Sequence, residues 1–315
     1  MPDGNIFTIL GAGFGMYGYL PALIEGGSRV VLPERYRSII ASRPELTQYV
    51  ANVDWCENTE AALARADAAV VALRPADQAE WIPRLASIPG ISRVILEKPV
   101  APTPELSGAL LQELGQAGKR FRVGYTFRFL AWAEPLRQAF QSSAKQIELD
   151  WTFLAHHYRA DLENWKRFDA SGGGALRFYG IHLIALFAEL GLNDVAVSTL
   201  SGPSEAETSA WKAILTGPKV CPVWISLDTR EATSRFRIIV RGGQRDGEVI
   251  VDQPDPFSAT KLADVYVRDP RVDVLAHLLR AFNGADAADA VRQRAILALW
   301  TRIEGKSQRL ATPAL

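Results

Sequence analysis

The sequence is short of the residues that build metal centres and disulfide frameworks. Of 315 residues only two are cysteine, Cys56 and Cys221, and four are histidine. Two cysteines so far apart fit neither a metal cluster nor a secreted scaffold, so a reducing, cytoplasmic setting is expected. There is no H-E-x-x-H, no cysteine cluster and no G-x-S-x-G, and neither a metal nor a serine nucleophile is expected. Net charge is also missing, because 35 Lys and Arg balance 35 Asp and Glu. Without a global field there is no sequence-independent pull toward nucleic acid or an anionic membrane. No apolar run reaches the ~18 residues of a spanning helix. The run at 68–73 is strand-sized, and the one from 175 is broken by Arg177, Gly180 and His182. The first five residues, Met1 to Asn5, show no basic segment leading into an apolar one, so no secretion signal is expected.

What is present is ample core material, with 48% hydrophobic residues and length for about two domains. Short apolar runs at 6–10, 29–32, 68–73, 93–97 and 121–124 read as strands. Helical stretches at 19–24, 37–50, 61–66, 79–86 and 105–117 alternate with them, the third capped by Asn58. Strand and helix in turn imply a parallel, doubly wound α/β sheet over residues 1–122. From 123 to 315 the pattern changes. Strands are expected at 146–155, 195–201, 210–215, 223–228, 235–241 and 248–252, several alternating polar with apolar residues. With helices at 174–190, 274–282 and 287–303, this half reads as an α+β domain whose sheet has one solvated or partner-covered face.

Three segments carry chemistry. Gly11-Ala12-Gly13-Phe14-Gly15-Met16 lies between the first strand and the first helix, where a Rossmann dinucleotide fingerprint belongs. Gly11 allows the tight turn, and Gly13 lets backbone N–H groups approach a pyrophosphate. The third glycine of the motif falls on Met16, and Gly15 or Gly18 is left to provide the close helix–strand packing. After the second strand come Glu34, Arg35 and Arg37. Glu34 suits a ribose diol and hence NAD, whereas Arg35 or Arg37 suits a 2′-phosphate and hence NADP, and both cofactors stay open. The second segment, Glu97-Lys98-Pro99, ends a strand on the edge of such a sheet that faces ligands, where a lysine can stabilise charge on a substrate oxygen. The third runs from Gly172-Gly173-Gly174 to His182, with Phe178 and Tyr179 four and three residues before the histidine.

In this order the segments resemble the Gfo/Idh/MocA family of glucose–fructose oxidoreductase and inositol dehydrogenase. The likeness extends over Leu20-Pro21-Ala22-Leu23 and Val123-Gly124-Tyr125-Thr126-Phe127-Arg128-Phe129. The resemblance implies a Rossmann domain binding NAD or NADP and a second, α+β domain with a large open mixed or antiparallel sheet, through which homodimers or homotetramers form. It also implies hydride transfer between the nicotinamide and a hydroxyl or carbonyl carbon of a sugar, sugar nucleotide or polyol. Lys98, His182 and Tyr179 are the candidate catalytic residues. Gly11, Gly13, Phe14, Gly15, Met16, Glu34, Arg35, Glu97 and Lys98 are the candidate cofactor contacts.

The sequence departs from the family where an aspartate is usual four residues before the histidine, which here is Phe178, and three after it, which here is Ala185. Two other readings follow: a nucleotide-binding regulatory or scaffold protein, and a reductase of a non-sugar carbonyl or imine. His156 and His157, expected on a strand, would point to opposite faces and could not share a metal. One of them, with Tyr158, Arg159, Trp165 or Lys166, is a candidate for lining a pocket, as is Arg128. His277 on a C-terminal helix is expected to be structural.

Overall fold

Aliphatic runs with no polar alternation build the first sheet. The structure, a computed structural model, describes residues 5–258, 269–284 and 289–310. In chain order the first strands and helices are β1 (Ile6–Leu10), α1 (Leu20–Glu25), β2 (Arg29–Pro33), α2 (Arg37–Ala41), β3 (Val53–Cys56), α3 (Thr59–Arg65), β4 (Ala68–Val71), α4 (Pro75–Ala86), β5 (Arg93–Leu96), α5 (Pro104–Gln116) and β6 (Arg120–Val123). The six strands are parallel in the order β3-β2-β1-β4-β5-β6. All four residues of β4 are buried, as a strand covered on both faces requires. Strand order reverses between β1 and β4, so a crevice opens beyond their C-terminal ends, where such sheets bind ligands.

The chain continues through α6 (Ala133–Phe140), β7 (Gln146–Leu154), α7 (His156–Arg159), α8 (Ile181–Glu189), β8 (Asp194–Ser201), β9 (Ala210–Gly217), β10 (Val220–Asp228), β11 (Arg230–Arg241), β12 (Val249–Gln253), α9 (Arg271–Asn283), α10 (Asp289–Lys306) and β13 (Gln308–Arg309). Their seven-stranded sheet runs β12-β11-β7-β10-β9-β8-β13 and is mixed. The neighbours β7 and β10 are parallel, and β11 and β9 flank them antiparallel. Alternation along β7 buries Ile147, Leu149 and Trp151 on one face and turns Glu148 and Asp150 to the other. A fully buried Leu or Ile of this kind contributes ~1.5–3 kcal/mol.

Two compact units result: residues 1–101, 106–126 and 260–287, and residues 102–105, 127–259 and 288–315. A domain boundary at 122 leaves 269–284 with the second domain, whereas in the structure this described stretch is part of the first unit. There α9 packs on α1 with Val272, Leu275, Leu278 and Phe282 buried.

Several expected elements differ. The helix expected over 37–50 stops at Ala41, because Pro44 disfavours helical backbone before it, and resumes only as a 3-10 stretch over Thr47–Asn52. His156 and His157 are not on a strand: β7 ends at Leu154 and both lie in the single turn of α7. The helix expected over 174–190 opens with a π-helical turn, Ala175–Gly180, before α8. The helix expected from 287 is described from Asp289, since 287 and 288 lie outside the described residues.

Candidate active site

The glycine turn of the first unit is built from strand ends held at one level. Parallel register pairs Leu10 with Val71 and Val71 with Leu96, so Gly11, Ala72 and Glu97 follow side by side. Gly11 has φ +122°, and a Cβ there would lie 2.2 Å from the Ala72 carbonyl oxygen, so only glycine fits. Gly15 takes the packing role of the motif's third glycine, because a Cβ there would come within 2.7 Å of Ile9 Cγ2. This frees position 16, and Met16 is completely buried with its N–H donated to the Gly13 carbonyl at 2.9 Å, so it packs beneath the turn and is not the cofactor contact expected of it. Gly18 serves the Phe14 ring, which a Cβ at 18 would touch at 2.4 Å. Phe14 also packs edge-on against Tyr17 and Tyr19 and carries the Arg271 guanidinium 4.4 Å above it.

Gly13 is the exception. A Cβ at this exposed position would meet no atom within 4 Å. The turn therefore leaves open space over Gly13 at the switch point, where a dinucleotide pyrophosphate could approach backbone N–H groups without meeting a side chain. Behind it, the Tyr36 hydroxyl accepts the Gly11 N–H at 3.3 Å. Glu34 is paired with Arg37, and Arg35 lies over the Tyr36 ring at 5.0 Å.

The Glu97-Lys98-Pro99 segment is clamped from below. Gln78 of α4 is fully buried, and its Nε2 donates to the carbonyls of Glu97 at 3.0 Å and Pro99 at 2.9 Å. The Glu97 carboxylate turns inward, accepting the Tyr19 hydroxyl at 2.6 Å and the Lys98 N–H at 3.3 Å. Burial raises the Glu97 carboxyl above its ordinary range, and the nearby Lys98 charge opposes the shift. Burial likewise raises the Tyr19 hydroxyl, so tyrosine donates and glutamate accepts. Lys98 itself is half-buried, at the mouth of β5.

The second unit places the other candidates. Gly173 and Gly174 press against protein rather than against an open space, since a Cβ would lie 2.3 Å from the Trp165 carbonyl oxygen at Gly173 and 2.2 Å from Asp169 Oδ1 at Gly174. Gly172 and Gly174 have φ of +80° and +77°. Beyond them Arg177 is anchored to Glu304 by two hydrogen bonds, of 2.7 and 3.0 Å. His182 is buried on α8 and stacks on Phe127 with centroids 4.7 Å apart. Tyr179 packs against Phe153 and Phe178, and burial pushes its hydroxyl well above the ordinary tyrosine range, which keeps it protonated. Phe178 packs edge-on to Trp165 at 5.2 Å, with the Lys166 ammonium 5.3 Å from its ring. The position usual for a carboxylate thus belongs to a half-buried aromatic cluster.

The weaker candidates divide. His157 is buried, and burial with the charges of Lys166 and Arg167 lowers its imidazole to about 4. His156 and Arg159 are exposed, and Tyr158 lies beneath the Arg167 and Arg230 guanidiniums. Arg128 pairs with Glu189, and His277 is exposed on α9. Among the described residues no three His, Cys, Asp or Glu gather where they could hold a metal. None of the described helices is long and apolar enough to cross a membrane. Sequence reasoning missed Gln78, Tyr36 and Tyr19. Nothing local to a buried glutamine or tyrosine in the sequence reveals which carbonyl or amide it meets.

Residues 6–125 match the model of the Gfo/Idh/MocA family, described as oxidoreductases with an NAD-binding Rossmann fold. No match to a curated protein was found. Among solved structures, the chain is similar to KijD10, a 3-ketoreductase of Actinomadura kijaniata in complex with NADP and TDP-benzene, with TM-score 0.71 and 14% identity over 99% of this chain and 100% of that one. GenD2 of gentamicin A biosynthesis, in complex with NAD, gives TM-score 0.71 at 16% identity over 96% and 95% of the two chains. The WlbA dehydrogenase of Bordetella pertussis, with NADH and UDP-GlcNAcA, gives 0.69 at 17% identity over 96% and 97%. At these identities the shared property is the fold.

Proposed function

From the match of residues 6–125 to the Gfo/Idh/MocA oxidoreductases, we propose that this chain reduces or oxidises a sugar, sugar nucleotide or polyol at a hydroxyl or carbonyl carbon. The observation that carries this reading is the open space over Gly13 between two glycines that admit no side chain. The dinucleotide, when bound, supplies or accepts the hydride. Backbone N–H groups of residues 13–15 bind its pyrophosphate, and Phe14 and Arg271 hold the turn in shape. Lys98 donates to the substrate oxygen, kept in place by Gln78 and by the Glu97 carboxylate on its own N–H. His182 moves the hydroxyl proton, and Tyr179 donates a hydrogen bond to a substrate oxygen. The sugar nucleotide UDP-GlcNAcA bound by WlbA and the nucleoside diphosphate derivative TDP-benzene bound by KijD10, a 3-ketoreductase, support the substrate class.

The ring at Phe178 favours a second reading. An aromatic wall of Trp165, Phe178 and Tyr179 in place of a carboxylate suits a less hydroxylated carbonyl or imine. A panel of keto-sugar nucleotides and of apolar ketones and imines, followed by loss of nicotinamide absorbance, decides between them. Turnover of the sugars upholds the first reading and turnover of the apolar set alone upholds the second. Tight dinucleotide binding with no turnover of either would instead mark a regulatory protein.

The second sheet is the proposed surface for homodimers or homotetramers, in a protein working in the cytoplasm. On its outward face Val197 and Trp224, each 48% exposed, lie either side of Ile214 in adjacent strands. Charges frame them: Arg241 pairs with Glu148, and Arg237 with Asp252. An apolar strip within a charged rim is the composition of an interface core.

A further inference from the structure

The charged residues after β2 discriminate between two dinucleotides that differ only by a 2′-phosphate. From their arrangement we infer that the site selects NADP(H) over NAD(H), with Arg35 as the residue that reads the 2′-phosphate. The inference rests on reading the glycine turn as the dinucleotide site.

In a Rossmann site specific for NAD, an acidic side chain near the end of the second strand accepts hydrogen bonds from the ribose diol. Glu34, the first residue past β2, stands there, but its carboxylate is already engaged. Arg37 donates to it through both Nε and Nη2, the second at 3.1 Å, and the same guanidinium lies 4.4 Å over the Trp55 ring. Both partners are about half exposed, and so exposed a pair breaks at little cost. The pair therefore does not by itself exclude NAD, and discrimination has to come from the other arginine.

Arg35 has the opposite surroundings. Among the described residues no carboxylate pairs with it. Its guanidinium is 5.0 Å from the Tyr36 ring centroid, and Nη2 donates to the Tyr36 hydroxyl at 3.3 Å. That hydroxyl in turn accepts the N–H of Gly11. A chain of three residues thus ties the guanidinium to the turn read as the pyrophosphate site. Glu34 offsets the charge of Arg37 and leaves that of Arg35 over, a positive charge that a diol does not match and a phosphate monoester neutralises. Arg35 gains an anionic partner only when the phosphate is present.

Fluorescence titration of the full chain with NADPH and with NADH tests this. NADPH is expected to bind at least about tenfold more tightly, the scale of one charge-assisted hydrogen bond, and the advantage should shrink as salt is raised. Arg35→Ala should bring the two affinities toward equality by loss on the NADPH side, and Arg35→Lys should fall between. Glu34→Gln should leave NADPH preferred. Wild type that binds NADH equally or better overturns the inference, as does an Arg35→Ala protein with an unchanged ratio. Loss of NADH binding in Glu34→Gln with NADPH untouched would also overturn it, by making Glu34 the reader. If neither nucleotide binds, the dinucleotide reading itself falls and takes the inference with it.

Discussion

Three glycines in one turn do three different things. Gly11 is forced by its positive φ and by the Ala72 carbonyl, Gly15 by contact with Ile9, and Gly13 by nothing in the protein. Equilibrium denaturation should separate them. Gly11→Ala and Gly15→Val each cost about 1–3 kcal/mol through strain and overpacking, whereas Gly13→Ala changes stability by less than about 0.5 kcal/mol. At the reacting end, Lys98→Ala and His182→Ala should each lower kcat by about 10²–10⁴-fold, with dinucleotide affinity near wild type. Gln78→Leu removes the donor to both carbonyls flanking Lys98 and should reduce kcat without touching the dinucleotide. The glycines and the Glu97-Lys98-Pro99 signature were legible in the sequence because each is a local backbone requirement. Gln78 and Tyr36 were not, since each meets its partner about twenty residues or more away, across strand ends that only the folded sheet brings level.

Among the elements, the Rossmann strands were read within a residue or two because fully buried parallel strands are uninterrupted apolar runs. The short edge strand β3, Val-Asp-Trp-Cys, carries no such run and gave no signal. The π-helical opening of the 175–189 segment was also hidden, for its extra residue per turn follows from packing around Gly180 and the Trp211 ring rather than from periodicity. The turn of α7 brings in a titratable element: His157 has its imidazole lowered to about 4, first by burial and then by Lys166 and Arg167. The unfolded chain, with an ordinary value near ~6.5, binds more protons between those limits. Stability should thus fall as pH drops from about 6.5 toward 4. Urea midpoints at neutral and mildly acid pH should show a smaller acid loss in His157→Gln than in wild type.

For the whole molecule, the sequence marks where the pattern changes near residue 122, but not that 269–284 returns to the first unit. The return depends on an apolar helix face finding α1, a pairing too distant along the chain to read. The open sheet makes a prediction at this scale. Trp224→Glu places a charge in the apolar strip, and light scattering after gel filtration should show a smaller assembly than wild type with the fold intact by circular dichroism. The central claim, that this chain works through a nicotinamide dinucleotide seated on its glycine turn, is tested most directly by titrating NADPH and NADH into wild type and Gly13→Val. A side chain at 13 meets no protein atom, so the variant should fold as wild type does and lose affinity for both nucleotides. A folded Gly13→Val protein that binds them as tightly as wild type would contradict the account.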